Sequence, residues 1–152
     1  MSDDFKDVVI VRPEQASQAR QGMPQFFGIS GASAGTTALS MNLTAFGPGG
    51  AAKAHYHRDF ETAIYGVSGK IALFFGKDLE KEVLIEPGVF CFIPPFVPHK
   101  AFNLSDVEGA TALTARNDPQ EQENVVLTPH LDDSRLDAIV AQRKRQVALV
   151  GS

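Results

Sequence analysis

Glycine and proline cut this chain into short runs of β-branched and aromatic residues, and that rhythm leaves few folds open. The sequence holds 13 glycines and 9 prolines. Between them lie runs at 8–11, 36–46, 52–57, 61–67, 71–75, 82–85, 89–93, 99–103, 110–115 and 125–127. Gly47-Pro48-Gly49-Gly50 reads as a loop, and Ser68-Gly69 and Gly76-Lys77-Asp78 read as hairpin turns. Glu86-Pro87-Gly88 suits a type II turn, because proline presets φ and glycine accepts the positive φ that follows. Many short strands parted by turn signals predict an all-β sandwich, jelly roll or barrel.

A short C-terminal helix is the exception. Asp132, Asp133 and Ser134 offer caps, and Leu136, Ile139, Val140 and Val147 form a partial apolar stripe. Arg143-Lys144-Arg145 then falls toward the helix C-terminus, where cations complement the dipole. With 152 residues the expectation is a single domain. Its parts are a barrel core over about 36–127, an N-terminal strand arm over about 5–30 and the helix over about 132–147.

Charge and composition exclude several partners. Eighteen acidic residues against 14 basic ones give a net charge of −4, the wrong sign for nucleic acid or an anionic membrane surface. One cysteine, Cys91, forbids an intramolecular disulfide framework and reads as a small buried hydrophobe. The acidic N-terminus has no apolar signal-like stretch, and no run reaches the ~20 apolar residues of a membrane span. The expected compartment is the cytoplasm. Gly28 to Gly35 is rich in small residues but lacks the lysine and helix of a phosphate loop, so it reads as a flexible loop.

The chemistry concentrates in the histidines. The chain has four, two of them in His55-Tyr56-His57. Residues two apart on a strand share a face, so both imidazoles point the same way. Glu61 keeps that parity if the strand register continues, and His99 opens another predicted strand. Three imidazoles and a carboxylate converging inside a barrel would hold a divalent ion. Nitrogen and oxygen donors without thiolate suit Mn, Fe, Co, Ni, Cu or Zn, with coordination positions left for a substrate oxygen or O₂.

Two spaced blocks resemble the motifs of the cupin superfamily, and in particular its small, single-domain, RmlC-like bacterial members. Gly49, His55, His57, Glu61 and Gly69 match the first motif, with the last spacing one residue long. Gly88, Pro94, His99 and Asn103 match the second, with Phe96 in place of a glycine. The resemblance spans about a third of the chain. It implies a double-stranded β-helix, or jelly roll, and makes His55, His57, Glu61 and His99 the metal ligands. It implies one divalent transition metal, with Fe or Mn first and Zn, Ni, Co or Cu as alternatives. Phe96 puts the loop before His99 in question, because Phe resists positive φ; Pro95 and Pro98 stiffen that loop, and Phe96 is either a gate at the barrel mouth or a surface residue.

Around the metal, parity nominates Lys53 to meet a substrate carboxylate and Tyr65 as a pocket-lining proton donor. Beyond the metal centre Tyr65 is the one catalytic candidate. Phe92, Phe96 and Asn103 complete the substrate-binding candidates, Asn103 having a strand-end structural role as its competing reading. Asp59 is either a partner orienting an imidazole or a solvated turn residue, and His130 reads as surface. Strand phenylalanines predict an aromatic element to the cavity wall. The reading is a metal-dependent enzyme acting on a small organic molecule by dioxygenase, decarboxylase or isomerase chemistry. The alternative is a non-enzymatic metal-containing module that binds or senses a small molecule. A metal-free, epimerase-like reading requires lost ligands. By analogy, a homodimer is expected, with the apolar run at 8–11 at its interface.

Overall fold

The computed structural model describes residues 5–12, 22–120 and 124–150, and residues 17 and 18 as backbone. Burial alternates along two of its seven-residue central strands, with polar as well as apolar side chains turned inward. In β3, Ser40–Phe46, and β10, Ala110–Arg116, every second residue is buried, so one face of each strand meets the interior. The other strands are β1 (Ser17–Gln18), β2 (Pro24–Ile29), β4 (His55–His57), β5 (Thr62–Ser68), β6 (Ile71–Phe75), β7 (Lys81–Ile85), β8 (Phe90–Ile93), β9 (His99–Asn103) and β11 (Val125–Leu127). They form two antiparallel sheets, one ordered β1-β2-β3-β10-β5-β8 and the other β11-β4-β9-β6-β7. Non-consecutive neighbours in both orders mark a jelly roll, and the inner faces of the sheets enclose the core.

That core joins Met23, Phe46, Ile71, Leu73, Ile85, Ile93, Ala110 and Ala112, all nearly inaccessible to solvent. A second core lies outside the five-stranded sheet. There Phe74, Leu79, Leu104, Leu131, Leu136 and Val140 pack together. Leu136 and Val140 come from the C-terminal segment, in which two 3-10 turns (Pro129–Leu131 and Ser134–Leu136) lead into α2, Asp137–Val150. The helix begins later than its acidic cap residues suggested, because Asp133 caps the second 3-10 turn through the Arg135 N–H. The basic triplet is not merely solvated. Arg143 bonds Glu82 on β7 and Lys144 bonds Asp106, both at 2.8 Å, so the helix is fastened to the sheet it covers. Four residues of the predicted small-residue loop instead form a one-turn helix, α1 (Gly31–Ala34), capped by Ser30.

Gly69 closes the β5–β6 turn at φ 76°, and a Cβ there would lie 2.6 Å from that of Ala110. Both the conformation and the close approach require glycine. The run at 8–11 forms no strand: Val8 is 91% exposed and Ile10 68%. No described helix is long and apolar enough to cross a membrane.

Candidate metal centre

The pleat of β4 turns His55 and His57 inward, and antiparallel pairing with β9 sets His99 directly opposite His55. Ring centroids lie 4.3 Å apart for His55–His99, 4.8 Å for His57–His99 and 5.1 Å for His55–His57. Each residue offers a ligand nitrogen, and the three nitrogens lie within 4.8 Å of one another.

Local bonds decide which nitrogen is offered. His55 Nδ1 faces the Lys53 carbonyl at 2.8 Å and His99 Nδ1 faces the Val97 carbonyl at 2.9 Å. A carbonyl only accepts, so each Nδ1 carries the proton and each Nε2 keeps its lone pair. His57 Nδ1 meets Thr62 Oγ1 at 2.9 Å, while its Nε2 is buried and has no hydrogen-bond partner. An orphaned buried nitrogen is costly unless something fills its position. Burial is the largest cause pushing all three imidazoles toward the neutral form, His99 down to about 4. Neutral imidazoles whose Nδ1 atoms are held by partners, leaving Nε2 to a ligand, are what a transition-metal ion binds. Metal–imidazole bonds run about 2.0–2.1 Å, so the cluster closes on one ion with small side-chain movements.

Glu61 does not join the cluster, which corrects the expected four-ligand set. Asp59 adopts a left-handed turn at φ 64°, so the parity counted from His57 does not carry through to β5. Glu61 is exposed on the outer side, beside Leu39, Met41 and Phe92. Thr62 is the buried, inward residue. Counted through Thr62, six residues precede Gly69, which removes the irregular spacing of the first block.

The other candidates spread widely. Lys53 is exposed, and its carbonyl rather than its amine serves the site. Tyr65 turns outward against Phe90, with ring centroids 4.8 Å apart. Phe92 is 60% exposed on the same outer face. Phe96 keeps the left-handed conformation of the glycine it replaces, at φ 65°, and lies exposed near Tyr56 rather than against the cavity. Its N–H donates to the His57 carbonyl, which ties the loop to β4. Asn103 is buried and fully used. Its Nδ2 donates to the Gly47 and Glu108 carbonyls, and its Oδ1 accepts from the Ser105 N–H. Asp59 and His130 are exposed, and Cys91 is half-buried with its thiol pKa raised by burial.

A cavity of about 60 Å³ opens beside the imidazoles. Its walls are mainly aliphatic, with Ile64, Ile71, Leu73, Ile85 and Ile93, and Phe46 is the one phenylalanine among the described residues that line it. The aromatic element of the wall is thus Phe46 alone among the described residues; Phe74 and Phe102 serve the second core, Phe90 and Phe92 lie exposed, and Phe75 lines a separate pocket with Leu73, Ile85 and Ile93. Sequence reasoning missed the polar residues that line this cavity: Gln25, Thr44, Thr62, Thr114 and Arg116. Arg116 extends the inward series Ala110, Ala112, Thr114, and that parity was the signal that could have found it.

The Cupin domain family matches residues 42–115, which contain all three clustered histidines. No curated protein sequence matches the chain significantly. Among solved structures, the polyketide cyclase RemF from Streptomyces resistomycificus is 22% identical, with a TM-score of 0.61 over 82% of this chain and 85% of that one. An uncharacterised double-stranded β-helix protein from Klebsiella pneumoniae is 13% identical, with a TM-score of 0.61 over 81% and 98%. A structure of oxalate decarboxylase is 19% identical, with a TM-score of 0.60 over 70% of this chain. The chain spans 28% of that protein's length.

Proposed function

From the Cupin domain match over residues 42–115 we propose that the chain is a cupin and, on that premise, a metal-dependent enzyme acting on a small organic molecule. The observation that carries the reading is the set of three imidazoles whose Nδ1 atoms are held by Lys53, Val97 and Thr62, with the ligand nitrogens gathered within 4.8 Å. The proposed ligands are His55, His57 and His99, with Glu61 outside the set. One divalent ion, iron or manganese first and zinc, nickel, cobalt or copper as alternatives, would supply Lewis-acid polarisation of a substrate oxygen or activation of O₂. The chain's own part is to hold the imidazoles neutral and oriented, and to line the reacting space with aliphatic side chains that keep bulk water out.

A cavity of about 60 Å³ suits a ligand of a few heavy atoms. Decarboxylation, as in the oxalate decarboxylase neighbour, is one reaction of that scale, and dioxygenation or isomerisation are others. Fold alone does not choose among them. We place the chain in the cytoplasm, consistent with its unpaired Cys91.

We also propose a homodimer. The outer face of the five-stranded sheet is covered by α2, but that of the six-stranded sheet presents Met41, Tyr65, Phe90, Phe92 and Leu113 to solvent. A second copy covering this face, together with the exposed run at 8–11, would bury them.

Elemental mass spectrometry on protein purified without an affinity tag or added metal tests the central reading. About one transition-metal ion per chain is expected, and its loss in a His57→Ala, His99→Ala double variant. Folded protein that carries no metal and takes up none on reconstitution overturns the reading. Metal-dependent turnover of any small substrate separates an enzyme from a binding module, which would hold its ligand without converting it.

A further inference from the structure

Asp132 reads as a helix cap in the sequence, but its carboxylate bonds elsewhere. Its two oxygens lie 3.0 and 3.1 Å from the Ala54 nitrogen, and Oδ1 also accepts from Lys100 Nζ at 2.7 Å. Ala54 precedes His55 and Lys100 follows His99, so one carboxylate holds both histidine-bearing strands next to the proposed ligands. The segment that carries it is fixed independently. The Thr128 N–H donates to the Ala54 carbonyl at 2.9 Å, and Leu127 of β11 pairs with His55 of β4.

The bond to Ala54 reaches past the strand. The Ala54 N–H and the Lys53 carbonyl belong to one peptide group, and that peptide is trans, so the two point to opposite sides. On one side stands the Asp132 carboxylate. On the other, the Lys53 carbonyl accepts the His55 Nδ1 proton at 2.8 Å. The order is carboxylate, peptide, imidazole. Hydrogen bonds in such a chain polarise one another, and an anion at the N–H end makes the carbonyl a stronger acceptor. A stronger acceptor at Nδ1 fixes the ring and raises the basicity of the other nitrogen.

His99 supplies the contrast. Its Nδ1 meets the carbonyl of Val97, also two residues back, at 2.9 Å. The nitrogen of that peptide belongs to Pro98, which has no N–H. No carboxylate can act on His99 by this route.

We propose that Asp132 is a positioning residue for His55, acting through the Lys53–Ala54 peptide to hold the ring and to strengthen its Nε2 as an electron-pair donor. The proposal deepens the metal-centre reading and rests on it for what Nε2 binds; the hydrogen-bonded chain of carboxylate, peptide and imidazole is built into the fold.

NMR of the metal-free full chain and Co(II) titration of the same samples test it. In the wild-type chain the His55 Nδ1–H proton should resonate downfield of that of His99, because its hydrogen bond is the stronger. Asp132→Asn keeps the size and an acceptor oxygen for Ala54 but removes the charge. It should move the His55 proton upfield, leave the His99 proton in place, and weaken Co(II) binding in a chelator competition about tenfold. Arg143→Gln unties the same C-terminal segment from Glu82 on β7 and should change neither readout. Equal shifts of both histidines in Asp132→Asn, or none, overturn the proposal. So does a loss of Co(II) affinity in Arg143→Gln that matches that in Asp132→Asn. A His55 proton upfield of that of His99 in the wild-type chain overturns it without any variant. Co(II) affinity unchanged by Asp132→Asn sinks this proposal and leaves the metal reading standing. A chain that takes up no Co(II) sinks the metal reading, and the NMR contrast then decides alone whether the carboxylate acts on His55.

Discussion

Thr62 touches His57 Nδ1 at 2.9 Å, and among the described residues nothing else orients that ring by hydrogen bonding. Its replacement by valine keeps the shape and removes the hydroxyl. Groups that orient a ligating histidine are worth about 10- to 100-fold in metal affinity. Thr62→Val is therefore expected to weaken metal binding by that factor in a chelator-competition titration, while Glu61→Gln leaves it unchanged. A loss in Glu61→Gln matching that in Thr62→Val would return the carboxylate to the ligand set. The contrast also marks how far the site could be read from residue spacing. His55 and His57 are two apart within one short strand, so period-2 parity holds. Between His57 and Thr62 the chain passes Asp59 at φ 64°, and no parity count survives a left-handed turn whose presence the residues do not announce. Arg116 was hidden differently: it ends a strand whose apolar members alone looked like core.

At the scale of elements, the loop joining β8 to β9 carries the clearest strain. Phe96 sits at φ 65°, held there by its N–H bond to the His57 carbonyl at 2.8 Å. A non-glycine residue in this region costs about 1–2 kcal/mol. Glycine removes that cost but loses about 0.5–1 kcal/mol of chain entropy on folding. Phe96→Gly should therefore be more stable than Phe96→Ala, which keeps the strain, by up to about 1.5 kcal/mol. Chemical denaturation of the two variants decides it, and an alanine variant equal to or above the glycine one would show that the loop relaxes. The strands were legible for the same reason that this loop was not. Runs of alternating burial such as β3 and β10 announce themselves, and glycines at turns mark their ends. The run at 8–11 has the composition of a strand and forms none, because composition supplies no hydrogen-bonding partner. The helix was legible as a stripe, of which Leu136 and Val140 are buried and Ile139 is 39% exposed.

For the whole molecule, the buried imidazoles tie stability to pH. Their folded pKa values lie below the ordinary 6.5, that of His99 at about 4. Between those values the unfolded chain binds protons that the folded chain refuses, so stability falls as pH falls. Each such imidazole contributes a slope of up to about 1.4 kcal/mol per pH unit. The metal-free chain should lose Tm steeply from pH 6.5 to 4, and replacing His55, His57 and His99 by glutamine should flatten that fall. An unchanged slope would mean that the imidazoles are solvated. The two sheets set the second expectation. One outer face is sealed by Leu136 and Val140, while the other forms cross-strand rows, Phe90–Tyr65–Leu113 and Phe92–Ala63–Ala115–Met41, open to solvent. Monomers rarely expose apolar patches of more than a few hundred Å². Because a two-fold axis brings the same patch from both partners together, one new charge enters the interface twice. Sedimentation should report a dimer for the wild-type chain and a monomer for Met41→Asp with Phe92→Asp, each folded by circular dichroism and each retaining metal, since neither residue touches the cavity. A wild-type chain that sediments as a monomer at tens of micromolar would leave this face without a partner copy.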